Sequence, residues 1–317
     1  SSAFSFTLTQ PTRSSSSSSS SSSVEPLKAS LLSDTGSSAT DKVTNNGTVN
    51  ISLGDLGKGW SYSLDGTTWT IGTGTQLDLS SQATGEKNLQ IRQLDAKGDT
   101  LATVPFTFTF DKTAPAAPTV SITDTGNGLT GTSTDGKTNT TVLTVAKEEG
   151  ATVLYSTDNK TFTADGYATV QGSNTVYVKQ QDLAGNLSSP ATAITFTLDS
   201  VAPSAPGVSL VADTGSPPAG SGTDKITSNP ALTVTSEAGS LVEYKVGGAA
   251  WSGTAPTGLP DGAQTVLVRQ TDAVGNVSPT NTFSFTLDRS AAAPTVSLSN
   301  DTGAADNITR DASLTVS

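Results

Sequence analysis

The side chains able to do polar chemistry in this 317-residue sequence are overwhelmingly oxygen donors. There is no His and no Cys, and 22 Asp stand against 6 Glu. Without imidazole or thiol there is no Ser-His-Asp or Cys-His nucleophile, and no zinc or copper site of nitrogen or sulfur ligands. Two chemistries remain for such an excess of Asp. One is calcium, which takes about six to eight oxygens from carboxylates, carbonyls and Asn side chains. The other is the turn, in which Asp accepts bonds from its own backbone. The Asp residues recur in order. Asp-Thr-Gly begins at Asp34, Asp124, Asp213 and Asp301. A Phe-Thr-(Leu/Phe)-Asp segment ends at Asp111, Asp199 and Asp288. An Asp-x-x-Gly-(Asn/Asp) motif starts at Asp95, Asp182 and Asp272, with Asn186 and Asn276 closing the second and third copies.

Three Asp motifs repeating in one order at 87–90 residues define an array, and the aromatic pairs Tyr62/Trp69, Tyr155/Phe162 and Tyr244/Trp251 follow it as a fourth marker at intervals of 93 and 89. Full repeats are expected at 24–111, 112–199 and 200–288. Residues 1–13 read as the last strand of a preceding repeat, and 289–317 as the start of a following one, so the chain reads as a piece of a longer array. The ten-residue run Ser14–Ser23 reads as a polar linker, the alternative being that it is not native sequence. Within a repeat, short β-branched or aromatic runs such as Val142–Val145, Val153–Tyr155 and Val176–Val178 are bounded by Gly, Asn and Asp, and no helical period persists. About seven strands per repeat predict an all-β fold of tandem immunoglobulin-like β-sandwich domains in an extended array. Prolines 115, 118, 203, 206 and 294 mark the joints as semi-rigid.

With seven alternating strands, Asp-Thr-Gly and the Asp that ends the last strand fall at one pole of a sandwich. The Asp-x-x-Gly-Asn loop falls at the opposite pole. One joint would therefore bring together Asp34, Asp111, Asp182 and Asn186, with Asp41, Glu148 and Glu149 nearby. The next would gather Asp124, Asp199, Asp272 and Asn276, with Asp135 and Glu237. Asp213, Asp224, Asp288 and Asp301 belong to later joints. Carboxylates meeting at a joint repel unless a cation neutralises them, which points to calcium; turn chemistry is the competing reading of each motif alone. Asp111, Asp199 and Asp288 are the strongest ligand candidates, because an Asp at a strand end shortly before Ala-Pro has no evident turn to make. An active site is normally built once, so motifs repeated in every unit speak against an enzyme. The aromatics at 69, 162 and 251 are expected to pack on their strands. Trp60 has no counterpart in the other repeats and is the one candidate for an exposed recognition residue. A net charge of −11 with pI about 4.3 disfavours nucleic acid. No apolar run reaches the ~18 residues needed to span a bilayer.

In combination, Asp-x-x-Gly-Asn, Phe-Thr-Leu-Asp, (Thr/Val)-Ala-Pro and Asp-Thr-Gly resemble the bacterial Ig-like repeats of giant surface adhesins, the biofilm-associated and RTX-type proteins exported by type I secretion. The resemblance implies an extracellular stalk on the bacterial cell surface that supports adhesion and biofilm formation. It implies calcium at the domain joints, held by residues such as Asp111, Asp199, Asp288, Asp124, Asp213, Asp182 and Asp272. The partners implied are the neighbouring repeats and calcium, with host or surface glycans and proteins engaged through distal domains, and the chain is expected to be a monomer. On this view low calcium loosens the joints before it unfolds the sandwiches. Thr9 in place of Asp, and Lys97-Gly98-Asp99 where Ala-Gly-Asn or Val-Gly-Asn is expected, depart from the pattern. The alternative is that one of these domains binds a host glycan or protein directly.

Overall fold

The computed structural model describes residues 25–126, 128, 135–214, 222–300, 302 and 309–317. The strand expected near residues 3–8, the Ser14–Ser23 run and Asp301 lie outside the described residues. Among the described residues all regular structure is β, and no helix is long and apolar enough to cross a membrane. The reason is local: apolar and polar side chains alternate with period two along each run, so that one face can be buried and the other wet.

The first group of strands is β1 (Lys28–Leu31), β2 (Val43–Thr44), β3 (Thr48–Ser52), β4 (Gly59–Ser63), β5 (Thr70–Ile71), β6 (Gln76–Asp78), β7 (Gly85–Leu94) and β8 (Thr100–Phe110). The second is β9 (Thr119–Ile122), β10 (Lys137–Thr138), β11 (Leu143–Ala146), β12 (Thr152–Ser156), β13 (Gly172–Gln181) and β14 (Thr192–Leu198). The third is β15 (Gly207–Leu210), β16 (Ile226–Thr227), β17 (Leu232–Thr235), β18 (Leu241–Val246), β19 (Gly262–Thr271) and β20 (Asn281–Leu287), followed by a pair, β21 (Val296–Leu298) and β22 (Leu314–Val316). The seven strands expected per repeat become eight in the first group and six in the next two. The segment that supplies β5 and β6 in the first group is reduced to isolated bridges, Tyr155 with Thr163 and Tyr244 with Ser252, where Asp165-Gly166, Pro256 and Pro260 interrupt it.

In the first group the sheets β1-β3-β6 and β2-β8-β7-β4-β5 enclose one core, including Val49, Ile51, Trp60, Leu89, Ile91, Phe106, Phe108 and Phe110. In the third, β15-β17 and β16-β20-β19-β18 enclose Val266, Val268, Phe283, Phe285 and Leu287. The second repeats the pattern with β11-β9 and β10-β14-β13-β12, burying Val176, Val178, Phe196 and Leu198. Each such side chain contributes about 1.5–3 kcal/mol of burial. By compactness the chain divides into two units. One holds Ser1–Thr119, Ala146–Gly166 and Tyr177–Thr192; the other holds Val120–Val145, Tyr167–Val176 and Ala193–Ser317. The division passes through β13.

One feature of register recurs. The first strand of each group pairs within one sheet, antiparallel in the first and third groups, and after Asp-Thr-Gly the chain changes sheet. It then makes a two-residue parallel pairing with the last strand: Val43–Thr44 with Thr109–Phe110, Lys137–Thr138 with Thr197–Leu198, and Ile226–Thr227 with Thr286–Leu287. Asp-Thr-Gly is therefore the corner at which the chain switches sheets.

Candidate functional site

At each corner the Asp closes the crossover loop. Asp34 Oδ2 accepts from Lys42 N at 3.0 Å, Asp124 Oδ2 from Gly136 N at 2.8 Å, and Asp213 Oδ2 from Lys225 N at 2.9 Å. The donors all have left-handed backbone, φ 61° at Lys42, 74° at Gly136 and 61° at Lys225, which turns their N–H groups inward. The following Thr hydroxyl accepts from Asn45, Asn139 and Ser228 N. Beneath it lie Thr44, Thr138 and Thr227, at most 1% exposed, whose hydroxyls donate to the carbonyls of Ser33, Thr123 and Ala212. The other carboxylate oxygen, Oδ1, of Asp34, Asp124 and Asp213 is buried and meets no donor. An unsatisfied buried acceptor costs about 1–3 kcal/mol, and more when charged. The same orphan recurs in all three groups. At the first and third corners an ammonium lies in the same recess, Lys42 over the Phe106 ring at 5.2 Å and Lys225 over Phe283 at 5.1 Å.

The other candidate residues are engaged differently. Asp182 Oδ1 accepts from Asn186 N, and Asp272 Oδ1 from Val274 N and Asn276 N, so each closes its own loop. Asn186 Nδ2 donates to Asp182 Oδ2 and to the main-chain carbonyl of Asp111, both at 2.9 Å. Asn276 Nδ2 does the same to Asp272 Oδ2 and Asp199 O, both at 2.8 Å. Two acceptors around one end of each amide fix it as the nitrogen end. Asp111, Asp199 and Asp288, expected to have no turn to make, each accept from the N–H two residues on, at Thr113, Val201 and Ser290. They cap the entry to the linker. Asp41, Asp135 and Asp224 likewise accept from Val43, Lys137 and Ile226 N. Glu148 Oε1 accepts from Ala116 N. Among the described residues, no three carboxylates gather into a group that could hold a metal.

The first corner also interlocks with the loop at 183–186, which lies in the same unit. The carbonyl of Ala184, buried to 1% exposure, accepts from Thr35 Oγ1 and from Asn45 N. Gly36 and Gly185 approach so closely that a Cβ on Gly36 would lie 2.0 Å from Leu183 O, and one on Gly185 would lie 2.8 Å from Gly36 N. Both have positive φ, 97° and 94°. Glycine is required here by contact and by conformation together.

Three features carried no functional reading in the sequence. Gln93, Gln180 and Gln270 are buried at 5%, 2% and 2% exposure. Each Oε1 accepts a main-chain N–H: Gly54, Glu148 and Glu237. Their signal was visible: each falls in phase with two inward apolar residues of its strand, Leu89 and Ile91, Val176 and Val178, Val266 and Val268. Secondly, the half-buried aromatics Trp69, Phe162 and Trp251 lie under cations: Arg92 at 3.4 Å, Lys179 at 4.8 Å and Arg269 at 4.2 Å from the ring centres. Thirdly, Asp65 and Asp158 shape the hairpins that carry the first two aromatics. The N–H groups of Thr161 and Lys160, with the Ser156 hydroxyl, hold Asp158 down to a pKa of about 2. The N–H groups of Thr68 and Thr67 and the hydroxyls of Thr68 and Ser63 hold Asp65 well below the usual carboxylate range. Trp60, the candidate for exposed recognition, is interior: 3% exposed, its indole N–H donating to Gly74 O at 2.9 Å. The absence of a Cβ at Gly72 makes room for the ring.

No protein-family model matches the chain, and no curated protein does. Among solved structures, the fibronectin(III)-like modules of Clostridium thermocellum CbhA align over 55% of this chain and 95% of theirs, with 11% identity and a TM-score of 0.33. A tetra-tandem repeat from the extending region of a large adhesion protein aligns over 87% of this chain and 77% of its own, at 19% identity and TM-score 0.25. A 1.5-MDa bacterial ice-binding adhesin, described for its retention at the host cell surface, aligns over 83% and 98%, at 18% identity and TM-score 0.25. At these identities and scores the likenesses assign neither a family nor a function.

Proposed function

We propose that this chain is an extender segment of a large bacterial surface adhesion protein. Its work is mechanical: tandem sandwiches at 24–111, 112–199 and 200–288 set a distal binding module away from the cell. The observation that carries the reading is the joint itself. The same side chains, one period apart, hold the linker after Asp111 and the linker after Asp199. Function built into joints and repeated suits a spacer. The direct-binding alternative has lost its candidate, because Trp60 is in the core.

Calcium fits these residues in part. The orphan oxygens of Asp34, Asp124 and Asp213 suit a hard cation, and we propose that calcium is held at these corners. Bound there, it would neutralise the carboxylate where the chain changes sheet. Asp124 suits it best, since Gly136 stands there in place of the lysines at 42 and 225. The set Asp111, Asp182 and Asn186, and its counterpart Asp199, Asp272 and Asn276, does not fit: its amide nitrogens, not oxygens, face the meeting point.

Single-molecule pulling on the full chain tests the spacer reading. Three unfolding steps are expected, each releasing about 88 residues at ~3.6 Å, or on the order of 300 Å. A single step, or an odd division of the released length, would refute tandem mechanical units.

A further inference from the structure

We infer that the two linkers are locked by a metal-free clamp of side-chain donors on main-chain carbonyls. The joint therefore keeps its geometry when calcium is withdrawn. The inference rests on the spacer reading and deepens it.

The argument starts from the prolines. Pro115, Pro118, Pro203 and Pro206 each remove one N–H, so the linkers carry more carbonyls than N–H groups to satisfy, and of the N–H groups Ala116 reaches Glu148 Oε1. All four rings are buried, which draws those carbonyls against protein. Carboxylates cannot answer them, because an ionised carboxylate only accepts. Donors do. In the first linker, Asn186 Nδ2 reaches Asp111 O at 2.9 Å, Gln180 Nε2 reaches Ala116 O at 2.7 Å, and Thr192 Oγ1 reaches Pro118 O at 2.6 Å. In the second, Asn276 Nδ2 reaches Asp199 O at 2.8 Å, Gln270 Nε2 reaches Ser204 O at 2.7 Å, and Asn281 Nδ2 reaches Pro206 O at 2.9 Å. Three points spread over eight residues fix a direction as well as a position. Each linker lies in one compact unit with the three residues that grip it.

The clamp is held from behind. The buried glutamines spend Oε1 on Glu148 and Glu237 N–H, which leaves Nε2 facing the linker. The asparagines are set by their own loop, through Asp182 and Asp272. A cation at this point would need the amide oxygens turned inward, which breaks both bonds of each asparagine nitrogen. An unclamped chain of this length wanders over about 15 Å.

The chain has no Cys, so two introduced cysteines take spin labels specifically. Labels at Thr103 and Lys160, both exposed, report the first joint by pulsed dipolar spectroscopy on the full chain. The expected result is one narrow distance distribution, the same in millimolar calcium and in excess EDTA. Asn186→Asp with Thr192→Val should broaden it by on the order of 10 Å in both buffers, an unclamped chain wandering over about 15 Å, while the melting temperatures of the sandwiches hold. Gln180→Leu provides a second probe, read only if the melting curve shows it folded. If EDTA alone broadens the parent distribution, a cation holds the joint and the inference fails. It fails equally if both variants stay narrow. Neither failure touches the spacer reading, which stands or falls on the pulling steps.

Discussion

Adding one methyl group at Gly36 should dislocate the first joint while leaving the sandwich around it folded. Two costs are involved and they separate. A residue with a Cβ at φ 97° is disfavoured by about 1–2 kcal/mol whatever surrounds it. The second cost is contact: the new Cβ would lie 2.0 Å from Leu183 O, and ordinary contact begins at 3.4 Å, so the two backbones must part by about 1.4 Å, the difference of those distances. Such a shift takes the Asn45 N to Ala184 O bond from 3.1 Å to about 4.5 Å, beyond any hydrogen bond. Asn45 N–H keeps its second acceptor, Thr35 Oγ1, at 2.8 Å. Its loss of protection is therefore one bond's worth, about 0.5–1.5 kcal/mol, or up to tenfold in exchange rate. Gly98→Ala is the matched control: φ is 91° and nothing lies within 4 Å of the added carbon. Both variants should lower the melting temperature of the first sandwich by about 4–8 °C for each kcal/mol. Only Gly36→Ala should speed hydrogen exchange at Asn45. Equal Asn45 exchange in the two variants would refute the interlock.

Trp60→Ala should destabilise the first sandwich by about 3–5 kcal/mol in urea titration, as expected for a large core aromatic; full stability with lost cell or glycan binding would return Trp60 to the surface. Calcium at one hundred times its Kd should stabilise by about 2.7 kcal/mol per corner if it binds only the folded state, and Asp124→Asn should abolish the second repeat's share of that shift in calorimetry. Asp158 has its pKa lowered to about 2 in the folded state, against ~3.9 when unfolded. Its contribution is complete above about pH 4 and lost as pH falls through about 2. The melting-temperature gap between the parent and Asp158→Ala should therefore close between pH 4 and 2, and a gap that persists at pH 2 would count against the hydrogen bonds to Thr161 and Lys160. Arg92→Met should cost about 0.5–1 kcal/mol if the guanidinium over Trp69 attracts its ring.

What the sequence disclosed and what it hid divide along a physical line. Turn residues and alternation are local, so the all-β character could be read from runs such as Val176–Val178 and the Gly and Asp around them. Asp182 closes its own loop because its carboxylate and the Asn186 N–H are four residues apart, again a local matter. The burial of Trp60 was not local. It depends on Gly72 and on Gly74 O, twelve and fourteen residues on, and neither is conspicuous beside a tryptophan. The strand-end Asp residues were read as free of turns because Ala-Pro follows, yet the N–H at i+2 precedes the proline and is available. The orientation of Asn186 was beyond the sequence altogether, since an amide carries a donor and an acceptor at equal reach. Only the second acceptor, Asp182 Oδ2, decides which end faces Asp111.

The same division of labour predicts which pole departs from the rule. On the Asp-x-x-Gly-Asn loops the carboxylates close the turns of the loop itself and the amides bridge to the neighbouring linker, because an amide can donate to a carbonyl and an ionised carboxylate cannot. At the pole of the first sandwich that holds Glu25 and Asp55, the loop runs Asp95-Ala-Lys-Gly-Asp99. An Asp stands where Asn186 and Asn276 stand in the other two. Asp99 N donates to Asp95 Oδ1, so the turn is intact, but the side chain has no N–H to offer a preceding linker. Asp99→Asn supplies that donor at an exposed position, where stability should change by less than about 0.5 kcal/mol. The reverse exchange, Asn276→Asp, removes the donor where it is present: labels at Thr195 and Ala250, both exposed, should then give a broader distance distribution than in the parent. An unchanged distribution would mean that the donor on this loop is not what decides how firmly a linker is held, and that Gln180 and Gln270 do that work without it.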